Sequence, residues 1–372
     1  MNSSHIDVIA KAVLYEGYLL YPYRPSSVKN RQRFNFGVLY PQPYSEAQSG
    51  SDAWSLQTEC LIQGDSLAAL EVRLRFLKLV ARTVRRKIDP DRKSGAADFE
   101  TVSMIEVDGK VIVPWQEAIE CEVALPVCRP DRLSETPLEW KFPSLAKEET
   151  ELLRDPNGST VGQIVRRQER IHGVVEVKAA AAGEGLFKVQ VRVKNLTPFE
   201  ENVATNNAQD HRDAALMRSL VSAHVVLGVA DGHFVSLLEP PEHLRDLAAS
   251  CQNVGVWPVL VGAEGERDTM LASPIILYDY PQIAPESPGD LFDGTEIDEI
   301  LALRILTMTE EEKQEMRHTD ERARKMLERT ENLPMEHLMK LHGTLRELRP
   351  SLSLRSSSLR PSSLPPSREE IS

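Results

Sequence analysis

The sequence predicts a mainly β protein: two antiparallel domains of β-sandwich or open-barrel type, followed by a helical segment. Three observations carry that expectation. Short runs alternate apolar and polar residues with period two, Gly-containing turn dipeptides separate them, and the chain switches after residue 290 to helix-start chemistry and dense charge. The 372 residues, 41% of them hydrophobic, are more chain than one core usually needs. The expected parts are an N-terminal β-rich domain at 1–148, an antiparallel β domain at 149–290, a helical segment at 291–343 and a disordered tail at 344–372.

In the first part, IDVIAKAVLYEGYLLYPY, FNFGVLYP, WSLQTECLIQG, DFETVSMIEVDGKVIVPW and AIECEVALPV read as short strands. Asp108-Gly109, between two apolar runs, supplies the positive φ that a two-residue hairpin turn requires. LAALEVRLRFLKLVARTVRRK fits a helical face through Leu67, Leu70, Leu74 and Leu77. It fits a half-buried strand better, because Val72, Leu74 and Phe76 alternate with Arg73, Arg75 and Lys78. The stretch CRPDRLSETPLEWKFPSLAKEETELLRDPNGS is polar and repeatedly broken by Pro, so it reads as an interdomain joint.

Beyond it, IHGVVEVKAAA and LFKVQVRVKNLTPF form an expected hairpin across Ala182-Gly183-Glu184-Gly185, and SLVSAHVVLGVADGHFVSLLEPP a second across Asp231-Gly232. VGVWPVLVG and MLASPIILYDYP complete the expected sheet. Thr295, with Glu296 and Asp298 after it, is placed to start a helix. Thr309-Glu310-Glu311-Glu312 has capping-box spacing before one charged helix running to Pro334, on which Met316, Ala323, Met326 and Leu327 are too few for full burial. From Thr344 the Ser/Pro/Leu/Arg composition cannot offset the entropy of ordering.

A net charge of −12 argues against general nucleic-acid binding. The charge is uneven: residues 1–95 carry 14 Lys/Arg against 9 Asp/Glu, residues 199–300 carry 4 against 18. Such asymmetry suits docking of the two parts on one another or a basic protein partner. No uninterrupted apolar run is long enough for a membrane span and the N-terminus lacks a signal-peptide pattern, so a cytoplasmic protein is expected. Cys60, Cys121, Cys128 and Cys251 are too few and too scattered to staple the chain and read as free thiols.

Phosphate-binding glycine loops and the G-x-S-x-G elbow are missing, no serine or cysteine stands in a sequence neighbourhood that marks a nucleophile, and no cofactor is expected. His211, Asp213, His224 and His233 fall in one acidic region, and convergence of imidazole and carboxylate would make a metal-binding or hydrolytic centre; this is the alternative reading. The densest unusual chemistry is N-terminal. Tyr15, Tyr18, Tyr21, Tyr23, Phe34, Phe36, Tyr40 and Tyr44 interleave with Arg24, Lys29, Arg31 and Arg33, rings and guanidinium groups suited to gripping another protein.

VLYEGYLLYPYRPSSVKNRQRFNFGVLYP, WSLQTECLI, VPWQEAIE and LFDGTEIDEILALRILTMTEEEKQEMR resemble an uncharacterised bacterial protein family associated with gene clusters for uptake NiFe hydrogenases of actinobacterial type, over about residues 8–330. The resemblance implies an accessory, assembly or maturation role in the cytoplasm; it supplies no catalytic residue. The cysteine pairs of a hydrogenase metal centre and an iron–sulfur cysteine set are not in the sequence. The leading expectation is therefore a non-catalytic accessory protein that binds a hydrogenase precursor or maturation factor. Its contact residues are Tyr21, Tyr23, Arg24, Lys29, Arg31 and Arg33, with Phe292 and Glu296 as a second group. Self-association into a homo-oligomer is compatible with the same pattern.

Overall fold

The computed structural model describes residues 3–19, 36–88, 98–200, 208–282, 304–319 and 321–332. Its organising element is one strand, β1 (Ser55–Lys87), 33 residues long. The others are β2 (Phe99–Val102), β3 (Ile105–Val107), β4 (Lys110–Ile112), β5 (Trp115–Ala124), β6 (Leu138–Ser144), β7 (Lys147–Arg154), β8 (Thr160–Gln168), β9 (Ile171–Gly183), β10 (Leu186–Asn195), β11 (Val221–Val235), β12 (Trp257–Leu260) and β13 (Thr269–Ser273). All except the β3–β4 hairpin belong to one curled antiparallel sheet whose main path is β12-β13-β11-β1-β10-β9-β6.

β1 is paired along both edges. Residues 61–63 face β10 and β11 together, 73–77 face β11 and β5, and 81–82 face β5 and β8. The even positions Leu56, Cys60, Ile62, Leu70, Val72, Leu74 and Phe76 enter the main core with Val175, Val177, Val189, Val191, Val193, Val225 and Leu227. The odd positions Leu61, Leu77 and Leu79 enter separate clusters on the other face. Burial on both faces gives this strand its apolar content, at roughly 1.5–3 kcal/mol for each large side chain removed from water. The basic stripe of β1 is matched across strands: Arg75 lies opposite Glu122, and Arg82 binds Glu117 at 3.0 Å.

Strands from both sides of residue 148 are thus joined in one sheet, and the expected boundary falls inside β7, which pairs with β8. The presumed joint is structured. It forms α3 (Pro130–Glu135), β6 and β7, and their exposed charge reflects solvated strands rather than absence of strand pairing.

Three further expectations are corrected. The N-terminal run is a helix, α1 (Ser3–Leu19), because Ile9/Val13 and Ala10/Leu14 recur four apart and bury one side against the sheet. Asp231-Gly232 does not reverse the chain: Asp231 at φ 52° sits in an irregularity within continuous β11, opposite residues 65–68 of β1. The single charged helix is two, α6 (Glu310–Thr319) and α7 (Glu321–Glu331). Arg317 reaches Glu331 at 2.7 Å, whereas fourteen residues of straight helix would separate them by about 21 Å, so the chain doubles back. Ile305, Met316, Ala323, Met326 and Leu327 form the small core of that pair.

Other features match the sequence pattern. Asp108 (φ 52°) and Gly109 (φ 70°) turn the β3–β4 hairpin, and β9–β10 turns at Glu184-Gly185. The capping box forms, the Thr309 N–H donating to Glu312 Oε2 (2.9 Å) and the Glu312 N–H to Thr309 Oγ1 (3.2 Å). Two short helices, α2 (Gln42–Ala47) and α4 (Ala208–Leu216), pack together at one end of the sheet, and α5 (Arg245–Ala249) covers another part of it. The expected helix start at Thr295 and the tail from Thr344 lie outside the described residues.

Candidate functional site

The proposed contact residues Tyr21, Tyr23, Arg24, Lys29, Arg31, Arg33, Phe292 and Glu296 lie outside the described residues. The flanking rings of the same stretch are core residues: Tyr15, Tyr40 and Tyr44 are 5%, 6% and 4% exposed. Tyr44 stacks near Tyr40 (5.3 Å between centroids) and meets Phe199 and His211 edge-on or tilted. Arg212 donates to the Tyr40 hydroxyl (2.9 Å), stands over its ring at 5.2 Å and forms a fork on Asp52 at 2.8 and 3.1 Å. Burial pushes the Tyr40 hydroxyl up to about 12, so it stays protonated. These rings and their guanidinium neighbour are satisfied within the molecule.

The four candidate metal ligands are dispersed. His211, on α4, packs in that aromatic cluster at 5.0 Å from the Phe199 ring, and Asp213 is on the same helix. His233 lines an open depression of about 440 Å³ where Gln63-Gly64-Asp65, Glu184-Gly185 and Asp231-Gly232 meet. His224 sits mid-sheet on β11, opposite Arg75 and fully buried. Among the described residues no three His, Cys, Asp or Glu side chains converge to hold a metal ion. Neighbours in sequence are separated here because β11 extends 15 residues in one direction.

His224 carries a pH prediction. Its Nδ1–H donates to the Ser222 carbonyl (2.8 Å), Nε2 has no partner among the described residues, and burial, with nearby Arg75, lowers the imidazole from 6.5 to about 4. The folded state therefore holds the ring neutral. Stability from this group is complete above pH 6.5 and declines as pH falls toward 4, by roughly 3 kcal/mol. Denaturant titrations of wild type and His224→Phe between pH 7 and pH 4 should show a shallower acid slope in the variant; equal slopes would refute the assignment.

Sequence reading missed an exposed apolar edge. After β13, residues 275–278 alternate in burial: Ile275 and Leu277 pack toward the α1 cluster, while Ile276 and Tyr278 are 76% and 83% exposed. Asp279 fixes the segment, accepting from the Leu260 N–H (2.7 Å) and the Ser236 hydroxyl (2.5 Å); the Tyr280 N–H donates to the Leu260 carbonyl (2.7 Å). Trp257, on β12, is 44% exposed. The available signal was the short apolar run Ile275-Ile276-Leu277-Tyr278, which does not say which of its side chains a core covers.

The described cysteines are free thiols, Cys60 buried and Cys121, Cys128 and Cys251 partly so; burial raises all four above the ordinary thiol range. Among the described residues no helix is long and apolar enough to cross a membrane. No protein-family model matches the chain, and no curated protein sequence matches it.

Proposed function

We propose that this chain is a cytoplasmic accessory protein that binds another protein, a NiFe-hydrogenase precursor or a maturation factor, through its exposed edge segment. The observation supporting this reading is the outward pair Ile276 and Tyr278: two large side chains held in water on a hydrogen-bonded segment, at a cost in exposed apolar area that a partner would remove. Tyr21, Tyr23, Arg24, Lys29, Arg31 and Arg33, with Phe292 and Glu296, form the second contact group of the proposal. The hydrogenase assignment rests on the sequence resemblance.

The test is calorimetric titration of the full chain with a purified NiFe-hydrogenase large-subunit precursor and, separately, with its maturation factors. One of them should bind, and Ile276→Asp with Tyr278→Asp should weaken binding by roughly tenfold or more at unchanged melting temperature. Arg24→Ala, Arg31→Ala and Arg33→Ala together measure the second group. Absence of binding by every candidate would overturn the hydrogenase reading, and binding unmoved by both sets would overturn both surfaces.

A further inference from the structure

Lys78 is 1% exposed, on the inner face of β1 two residues beyond Phe76. Ser144 is the last residue of β6, half-buried, two residues beyond Phe142. The Phe76 and Phe142 rings meet across the core at 6.0 Å, and the period of two places Lys78 and Ser144 together on the next rung. Lys78 Nζ lies 2.9 Å from Ser144 Oγ and 2.7 Å from the Leu145 carbonyl oxygen. Among the described residues those are its two partners, and no carboxylate is within ion-pair distance of this amine.

That environment disfavours the charged form of the amine. Nζ donates to the Ser144 hydroxyl oxygen and to the Leu145 carbonyl, so an ammonium has a third N–H with neither of these oxygens to take it; after loss of that proton the amine can still donate to the carbonyl and turn a lone pair to the Ser144 hydroxyl. Burial lowers Lys78 from its ordinary range, against smaller opposing effects of Cys121 on β5 and Glu169 between β8 and β9.

We propose that Ser144 and Lys78 form a serine–lysine acyl-transfer dyad whose substrate is an extended peptide laid along the outer edge of β6. β6 ends the main path of the sheet, so its outer edge presents N–H and C=O groups that an added strand can pair with. Ser144, at the end of that edge, meets the reacting carbonyl there. Lys78 Nζ takes the Oγ proton as Oγ attacks the carbonyl carbon and its π pair moves to oxygen. The tetrahedral adduct collapses, the bond to the leaving nitrogen, oxygen or sulfur breaks, and that atom receives the proton from Nζ. Water then gives a proton to Nζ, attacks the acyl ester and releases the acid, with Oγ reprotonated. The sum is hydrolysis, with no oxidant, reductant or metal required. The activity goes beyond the binding proposed above and stands independently of it.

The full chain is treated with a fluorophosphonate probe and with two thioesters, one of acetate and one of a five-residue extended peptide, and adducts are located by peptide mass mapping. The probe should mark Ser144, and its rate should rise with pH through an inflection below the ordinary lysine range. Ser144→Ala should abolish marking, and Lys78→Met, which keeps the buried volume apolar, should slow it by roughly 10²- to 10⁴-fold at unchanged melting temperature. The peptide thioester should acylate Ser144 about 100-fold faster than the acetyl thioester. An unmarked Ser144 in the folded wild-type chain, or a Lys78→Met variant marked at the wild-type rate, would overturn the dyad; equal thioester rates would overturn the peptide edge. If Lys78→Met fails to fold, the pH inflection of the wild type decides, since a serine acting without Lys78 shows none there.

Discussion

Replacing Asn195 with alanine is expected to lower the unfolding free energy by about 3 kcal/mol, because this fully buried amide closes a knot between three stretches of chain. Its Nδ2 donates to the carbonyls of Leu39 (2.8 Å) and Arg218 (2.9 Å), and its Oδ1 accepts from the Thr197 N–H (3.1 Å) and hydroxyl (2.5 Å). Alanine satisfies none of them. The Leu39 carbonyl keeps the Leu220 N–H, but the Arg218 carbonyl and the Thr197 N–H lose the partner the amide supplies. Each buried orphan costs about 1–3 kcal/mol, which sets the total. Chemical denaturation monitored by circular dichroism measures it, and a loss below about 1 kcal/mol would mean that water reaches the knot.

The second large effect is expected at Gly173. This residue of β9 lies directly opposite Phe142 of β6, and a Cβ added to it would lie 2.0 Å from Phe142 Cζ, far inside van der Waals contact. The ring also packs against Phe76 at 6.0 Å between centroids, so Gly173→Ala should destabilise by about 3 kcal/mol through overpacking. The cause is separable from a general glycine effect. In a chain already carrying Phe142→Ala, the same substitution should cost less than about 1 kcal/mol, a coupling that a double-mutant cycle reads directly. Additive losses would show that the backbone at Gly173, not the ring, sets the penalty.

Much of the secondary structure was legible. Alternation identified the basic run of β1 as strand over helix, Asp-Gly and Glu-Gly dipeptides located two hairpins, and Thr309 with Glu312 located a helix start. The errors share a cause. Residues 8–15 are apolar at every position but Lys11, so both periods fit, and the helix was selected by the face of the sheet that it covers. Asp231-Gly232 has the composition of a turn, but β1 runs alongside on both sides of it and holds the flanking residues in register, so the local preference is spent on an irregularity.

Sites followed the same division. Residue type alone determined that the chain has histidines and carboxylates in one region, an aromatic and basic stretch near its beginning, and no linear nucleophile motif. Tertiary structure decided that the histidines diverge and that Tyr15, Tyr40 and Tyr44 turn inward. It also set Lys78 and Ser144, 66 residues apart, at 2.9 Å. Sequence specifies the period of each element, which fixes the residues that share a face. Which faces meet depends on how a 33-residue strand is paired along both edges. Those pairings join residues up to 174 positions apart, such as Leu61 and Val235, and no local pattern encodes them.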